Sequence, residues 1–209
     1  MKVFADFQRI HEGEPVLVCG LGQSLGSLRS PPCCPSIGVN DIARAFDPTY
    51  LVCMDPLNVF PADRRKFIEC SASKFIFTDS ETGISGTNVV SCALAFSKRA
   101  RPADEGGLYH RGPPLTSTYL ALGLAAFMGG DPIGLIGVDF CGGYFFDTGH
   151  SHNLNPCAEA LDRMFLELGH ELAITGTRVV NLSDRSMLKA FPHMSLDEFF
   201  WHDSNCRPR

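Results

Sequence analysis

The residues best suited to chemistry lie in one run, Asp139-Phe140-Cys141-Gly142-Gly143-Tyr144-Phe145-Phe146-Asp147-Thr148-Gly149-His150-Ser151-His152-Asn153. Carboxylates, a phenol, hydroxyls and two imidazoles are poor packing material, but they are the groups that hold polar ligands and move protons. One imidazole near its ordinary pKa can take a proton from an attacking hydroxyl, which makes a histidine here a candidate general base or acid. The plainer alternative is a structural, hydrogen-bonded histidine. His150 and His152 alternate, so an extended loop would point them to opposite sides. Zinc would need further ligands, and the chain has neither an HExxH nor a paired CxxC motif.

Such a loop needs a rigid element beneath it. The apolar run from Pro132 to Val138 reads as a buried parallel strand, which puts the polar run at its carboxyl end. In open α/β sheets ligands bind at that edge. Three other strand ends carry polar or glycine-rich residues. Pro15 to Cys19 leads into Gly20-Leu21-Gly22-Gln23-Ser24-Leu25, where glycines let backbone approach a ligand and free N–H groups can hold phosphate. The third glycine of the dinucleotide fingerprint is displaced and no Lys-Ser/Thr follows, so this is not a P-loop; a tight strand-to-helix turn is the alternative. Ser36 to Asn40 ends in Asn40, which could also cap a helix, and Tyr50 to Asp55 ends in Asp55, placed to meet a sugar or a metal. Thr116-Ser117-Thr118 opens an apolar helix; one hydroxyl caps it, and the others sit where a positive helix end favours phosphate or carboxylate. His110 and Arg111 would add charge nearby.

The remaining pattern supplies the scaffold. A helical turn around Ala43, Arg44 and Phe46, a helix over Phe60 to Cys70 and a strand over Lys74 to Thr78 follow in order. Residues 79–114 are weakly patterned and glycine-rich, and read as an excursion over the sheet, a candidate lid, with Asn88 to Phe96 as a short element inside it. Helices over Thr116 to Met128 and Pro156 to Leu172, a strand over Arg178 to Leu182 and a helical turn over Leu196 to Trp201 complete the chain. Strands alternating with helices predict a single Rossmann-like α/β domain, a doubly wound, mainly parallel sheet with helices on both faces.

At 209 residues, 44% hydrophobic and 20% charged, the composition is that of an ordinary globular domain. A net charge of −5 argues against nucleic acid as the main ligand. The stretch from Leu115 to Val138 is broken by Gly129-Gly130-Asp131-Pro132, so it is helix then strand, not a membrane span. No secretory signal is visible, and nine cysteines set mostly in apolar runs suggest buried thiols in a reducing, cytoplasmic compartment. An acidic domain of this size ending in Trp201 could also pair with itself.

These motifs, taken in order, resemble the bacterial sialyltransferases that use CMP-sialic acid, and the wider superfamily of 6-hydroxymethylpterin diphosphokinase-like proteins. The matching pieces are Gly20 to Leu25, Asn40, Thr116-Ser117, Gly137-Val138-Asp139-Phe140, Tyr144 to Thr148 and Gly149-His150-Ser151. The tail, Val179 to Ser183 and Ala190 to Pro192, looks more like phage-associated members of the second group. Two departures are visible: Tyr144–Thr148 and Gly149–Ser151 abut where the sialyltransferases carry an insertion, and Asp55 stands where they have Asn. The resemblance implies a transferase in which Gly20, Gly22, Ser24, Asn40, Asp55, Thr116, Ser117, Asp139 and Phe140 hold a nucleotide-sugar donor, possibly CMP-linked. Tyr144 and His150 would be catalytic, with His150 deprotonating a small hydroxyl-bearing acceptor and no metal required. The diphosphokinase side of the resemblance implies instead ATP and Mg²⁺, with Asp55, Asp139 and Asp147 as ligand candidates. A noncatalytic nucleotide-binding or phage-associated protein is the third reading.

Overall fold

A computed structural model describes residues 2–146 and 153–201. Seven strands form one parallel sheet: β1 (Val16–Cys19), β2 (Ser36–Val39), β3 (Tyr50–Val52), β4 (Phe75–Thr78), β5 (Val89–Ser91), β8 (Ile133–Ile136) and β9 (Val179–Asn181). Their order is β5-β4-β3-β2-β1-β8-β9. β1, β2, β3, β8 and β9 are buried along their whole length, as strands covered on both faces must be. A separate pair, β6 (Leu94–Phe96) and β7 (Leu108–His110), also runs parallel.

The strand order reverses at β1, which pairs with β2 on one side and β8 on the other. Right-handed crossovers then place the connections of the two halves on opposite faces, which gives the doubly wound Rossmann-like fold with helices on both sides. Its helices are α1 (Ala62–Glu69), α2 (Ser117–Phe127), α3 (Ala158–Ile174) and α4 (Leu196–Trp201). α2 lies across β1, β2, β3 and β8. Nine of its eleven residues are buried, so it is apolar all round. α3 is amphipathic; Leu161, Phe165, Leu168 and Leu172 form its buried stripe, and Phe165 meets Tyr119 of α2 edge to face at 5.5 Å.

Two expectations need correction, and one element is new. The stretch from Asn88 to Phe96 is not one element inside an excursion: Val89–Ser91 adds to the main sheet beside β4, and Leu94–Phe96 pairs with β7. Two short runs separated by a break give too little alternation to tell one element from two. The second and third strands stop at Val39 and Val52, which leaves Asn40 and Asp55 on the loops that follow. The N-terminal residues, unassigned from sequence, form a 3-10 turn, Phe4–Phe7, whose Phe7 ring sits 4.8 Å from Phe77 and 4.9 Å from Phe75. Among the described residues no helix is long and apolar enough to cross a membrane. Cys19, Cys53 and Cys92 are buried free thiols; burial pushes the Cys53 and Cys92 thiols up to about 12, as suits packing side chains rather than nucleophiles.

Candidate functional site

The reversal of strand order opens a crevice where the chains leave β1 and β8. Backbone meets backbone there: the Gly22 N–H donates to the Gly137 carbonyl (2.8 Å), and the Gly20 N–H to that of Ile136 (2.8 Å). A Cβ on Gly20 would lie 2.3 Å from the Gly137 oxygen, so the approach requires glycine. Gly137 itself has φ +70°, a left-handed conformation that glycine adopts without a Cβ penalty.

A buried carboxylate locks the two loops. Asp139, 2% exposed, accepts the Ser24 hydroxyl (2.5 Å) through one oxygen and the Ser24 N–H (2.7 Å) through the other. The Ser24 Oγ in turn accepts the Gly137 N–H (2.8 Å). Ser24 and Gly20 therefore lie beneath the crevice and shape it.

Above them a cleft of about 410 Å³ opens. Its walls bring together Gly22, Asn40, Asp55, Thr116, Ser117, Asp139, Phe140 and Tyr144, from five separate loops. Two of these hold left-handed backbones: Asn40 at φ +52° and Phe140 at φ +51°. Asn tolerates that region, but a bulky residue there is strained by about 1–3 kcal/mol. Phe140 is kept in place by its ring, buried and 5.8 Å from Phe165. The Ser117 hydroxyl donates to Asn40 Oδ1 at 3.4 Å, which ties the start of α2 to the end of β2. The amino end of α2 thus faces the cleft with its partial positive charge.

Arg64, which the sequence did not mark, is the one Lys or Arg among the described residues of the cleft wall. It reaches there from α1, and its guanidinium forms a fork on Asp41 (2.9 and 2.5 Å), a carboxylate with no exposed side-chain surface. Burial pulls the guanidinium pKa down, but the hydrogen bond and charge of Asp41 outweigh it, and Arg64 is held above its ordinary value. Its planar group also lies 5.0 Å from the centre of the Tyr144 ring. Tyr144 stacks on Phe146 (5.2 Å), and Arg44 sits 4.0 Å from the Phe146 centre. Phe145 N–H, donating to the Leu21 carbonyl (2.9 Å), fastens this aromatic segment over the glycine loop. No spacing links Asp41 with Arg64; only the fold joins them.

Asp55 is exposed at the cleft. The surrounding protein nonetheless raises its carboxyl above the ordinary aspartate value, and Arg64 works against the rise. His110 and Arg111 do not reach the main cleft: Arg111 pairs with Glu167 of α3, and His110 lines a smaller chamber beside it. Asp147, Thr148, His150 and His152 lie outside the described residues. Among those described, no group of three or more His, Cys, Asp or Glu side chains could hold a metal ion. Asp55 and Asp139 are the carboxylates among the described residues of the cleft wall, and both oxygens of Asp139 are engaged by Ser24. The described residues alone therefore fit Mg²⁺ poorly.

No protein-family model matches the chain, and no curated protein matches it. Among solved structures, the fold is similar to that of the MAf glycosyltransferase from Magnetospirillum magneticum AMB-1, with a TM-score of 0.55 and 16% identity. The likeness covers 92% of this chain, which spans 37% of that protein's length. At such identity the likeness is one of fold.

Proposed function

We propose that the chain is a nucleotide-sugar-dependent glycosyltransferase, similar to the CMP-sialic-acid-dependent enzymes. The observation that carries this reading is the convergence of Gly22, Asn40, Asp55, Ser117 and Tyr144 on one cleft at the point where the strand order reverses. Nucleotides bind at that position in doubly wound sheets. The fold likeness to a glycosyltransferase supports the same class.

Charge favours a donor with a single phosphate. Among its described residues the cleft offers one guanidinium, already paired with Asp41, and two carboxylates. Its remaining anion-binding capacity is the amino end of α2 with the Ser117 hydroxyl, since the N–H groups of Gly20, Gly22 and Ser24 in the glycine loop already donate to Ile136, Gly137 and Asp139. Those suit one phosphodiester, as in a CMP-linked sugar. ATP would bring several more negative charges and would need to arrive with Mg²⁺.

In the proposed reaction Asn40 and Asp55 hold the nucleoside, while Ser117 and Tyr144 hold the phosphate and sugar. His150 accepts the proton of the acceptor hydroxyl as its oxygen bonds to the anomeric carbon. The bond from that carbon to the phosphate oxygen breaks, and the nucleotide leaves with the electron pair. Hydrogen bonds to the leaving phosphate supply the electrostatic stabilisation. Nucleotide release from CMP-, UDP- and GDP-linked sugars, measured with and without EDTA, tests this reading. Release of CMP that survives EDTA supports it; turnover of ATP alone, lost with EDTA, moves the assignment to the diphosphokinase class.

A further inference from the structure

Arg64 joins two sides of the main cleft that lie far apart in the chain. On one side it forks onto Asp41, the residue after Asn40, through Nε (2.9 Å) and Nη2 (2.5 Å). On the other it meets Tyr144, with the guanidinium carbon 5.0 Å from the ring centre and the phenol as a hydrogen-bond partner. Phe60 and Phe146, at 5.6 and 5.8 Å, box the planar group between rings. The Tyr144 backbone is tied separately, by a bridge to Gly22 of the glycine loop. A fork on one carboxylate fixes the plane of a guanidinium, so Asp41 sets where Arg64 stands against Tyr144.

We infer that Arg64 is a positioning residue: anchored on Asp41, it aims the Tyr144 O–H at the phosphate of the bound nucleotide sugar. The inference rests on the nucleotide-sugar reading and adds a residue to that reaction. A guanidinium can only donate, so the phenol oxygen accepts from Arg64 and the phenol's own proton is turned away from it. An O–H whose oxygen accepts from a cation is polarised and becomes a stronger donor. The phosphate gains negative charge as its bond to the anomeric carbon breaks. Such a donor therefore acts most in the transition state, and its loss shows in kcat rather than in KM. The charge of Arg64 is balanced by Asp41, so its effect reaches the phosphate through the phenol. Because Asp41 follows Asn40 directly, the same link fixes Tyr144 relative to the residue proposed to hold the nucleoside.

The experiment is a double-mutant cycle on nucleotide release by the whole chain. The donor is whichever the wild type turns over among CMP-N-acetylneuraminic acid, UDP-glucose and GDP-mannose. One arm is Asp41→Asn with Arg64→Gln, which removes both charges of the buried pair together and so strands neither. The other arm is Tyr144→Phe. The neutral pair is expected to lower kcat about tenfold with KM within about twofold, while a cooperative melt shows it folded. Tyr144→Phe is expected to lose about as much. The neutral pair placed in Tyr144→Phe is expected to lose no more than about twofold further, because both changes remove one interaction. Arg64→Lys, which keeps the charge without the fork, is expected to lower kcat about threefold in the wild type and not at all in Tyr144→Phe. Wild-type kcat in the neutral pair, a loss carried by KM, or losses that multiply in the combined variants overturn the inference and leave the nucleotide-sugar reading standing. No release from any of the three donors by the wild type overturns that reading, and the inference with it.

Discussion

Ser24 and Asp139, more than a hundred residues apart in sequence, form a closed unit in which one carboxylate accepts both the N–H and the hydroxyl of one serine. Since the serine oxygen also accepts the Gly137 N–H, the loops after β1 and β8 are tied together at three points. Asp139→Asn replaces an acceptor oxygen with an NH2 group facing a donor. It is expected to destabilise the fold by about 1–3 kcal/mol, the cost of leaving a buried polar group unmatched. Urea unfolding of the variant measures this; an unchanged midpoint would show that the clamp is dispensable.

The Arg64–Asp41 pair has a sharper consequence. Arg64→Ala strands a carboxylate with no exposed surface, and loss of one partner of a buried ion pair typically costs about 3–5 kcal/mol. Arg64→Lys keeps the charge but not the planar fork, so it is expected to recover only part of that stability. Thermal unfolding of both variants beside the wild type tests the ordering wild type, then lysine, then alanine.

Glycines around the site divide into two groups. Gly20→Ala drives a methyl against the Gly137 carbonyl, which is backbone and cannot swing away. About 3 kcal/mol of destabilisation is expected, at the upper end of the ordinary overpacking range. Gly26→Ala meets nothing within 4 Å and should change stability by no more than about 0.5 kcal/mol. Equal effects from the two would contradict the close approach of the loops.

Asp55 gives a pH signature. Its folded pKa is raised, with burial the leading cause, so ionisation is disfavoured in the folded state. The wild type is free of that penalty below the ordinary aspartate pKa of about 3.9 and acquires it as pH rises through the folded pKa. Asp55→Asn never ionises there. It should be at least as stable as the wild type at about pH 7, and any advantage should vanish at about pH 3. Chemical denaturation at both pH values checks the sign. A variant less stable at neutral pH alone would point to a favourable ionised Asp55.

The sequence made the scaffold legible because the strands are short, fully buried and rich in Val, Ile and Leu, so β1, β2, β3 and β8 stand out as apolar runs. The polar residues on the loops that follow them, Asn40, Asp55 and Asp139, were legible for the same reason. Arg64 and Asp41 were not: a charged residue on a short helix reads as solvated surface until the fold brings a buried partner to it. β5 was hidden because three residues are too few for a period.

The central claim is that the cleft between the loops after β1 and β8 binds a nucleotide sugar. The most direct measurement is calorimetric titration of CMP-N-acetylneuraminic acid into the wild type and into Leu115→Trp. Leu115 is 50% exposed on the cleft wall, so a tryptophan there fills the cleft without entering the core. Saturable binding to the wild type, lost in Leu115→Trp at an unchanged melting temperature, is the predicted result. Binding that is undiminished in Leu115→Trp would place the donor elsewhere and contradict the claim.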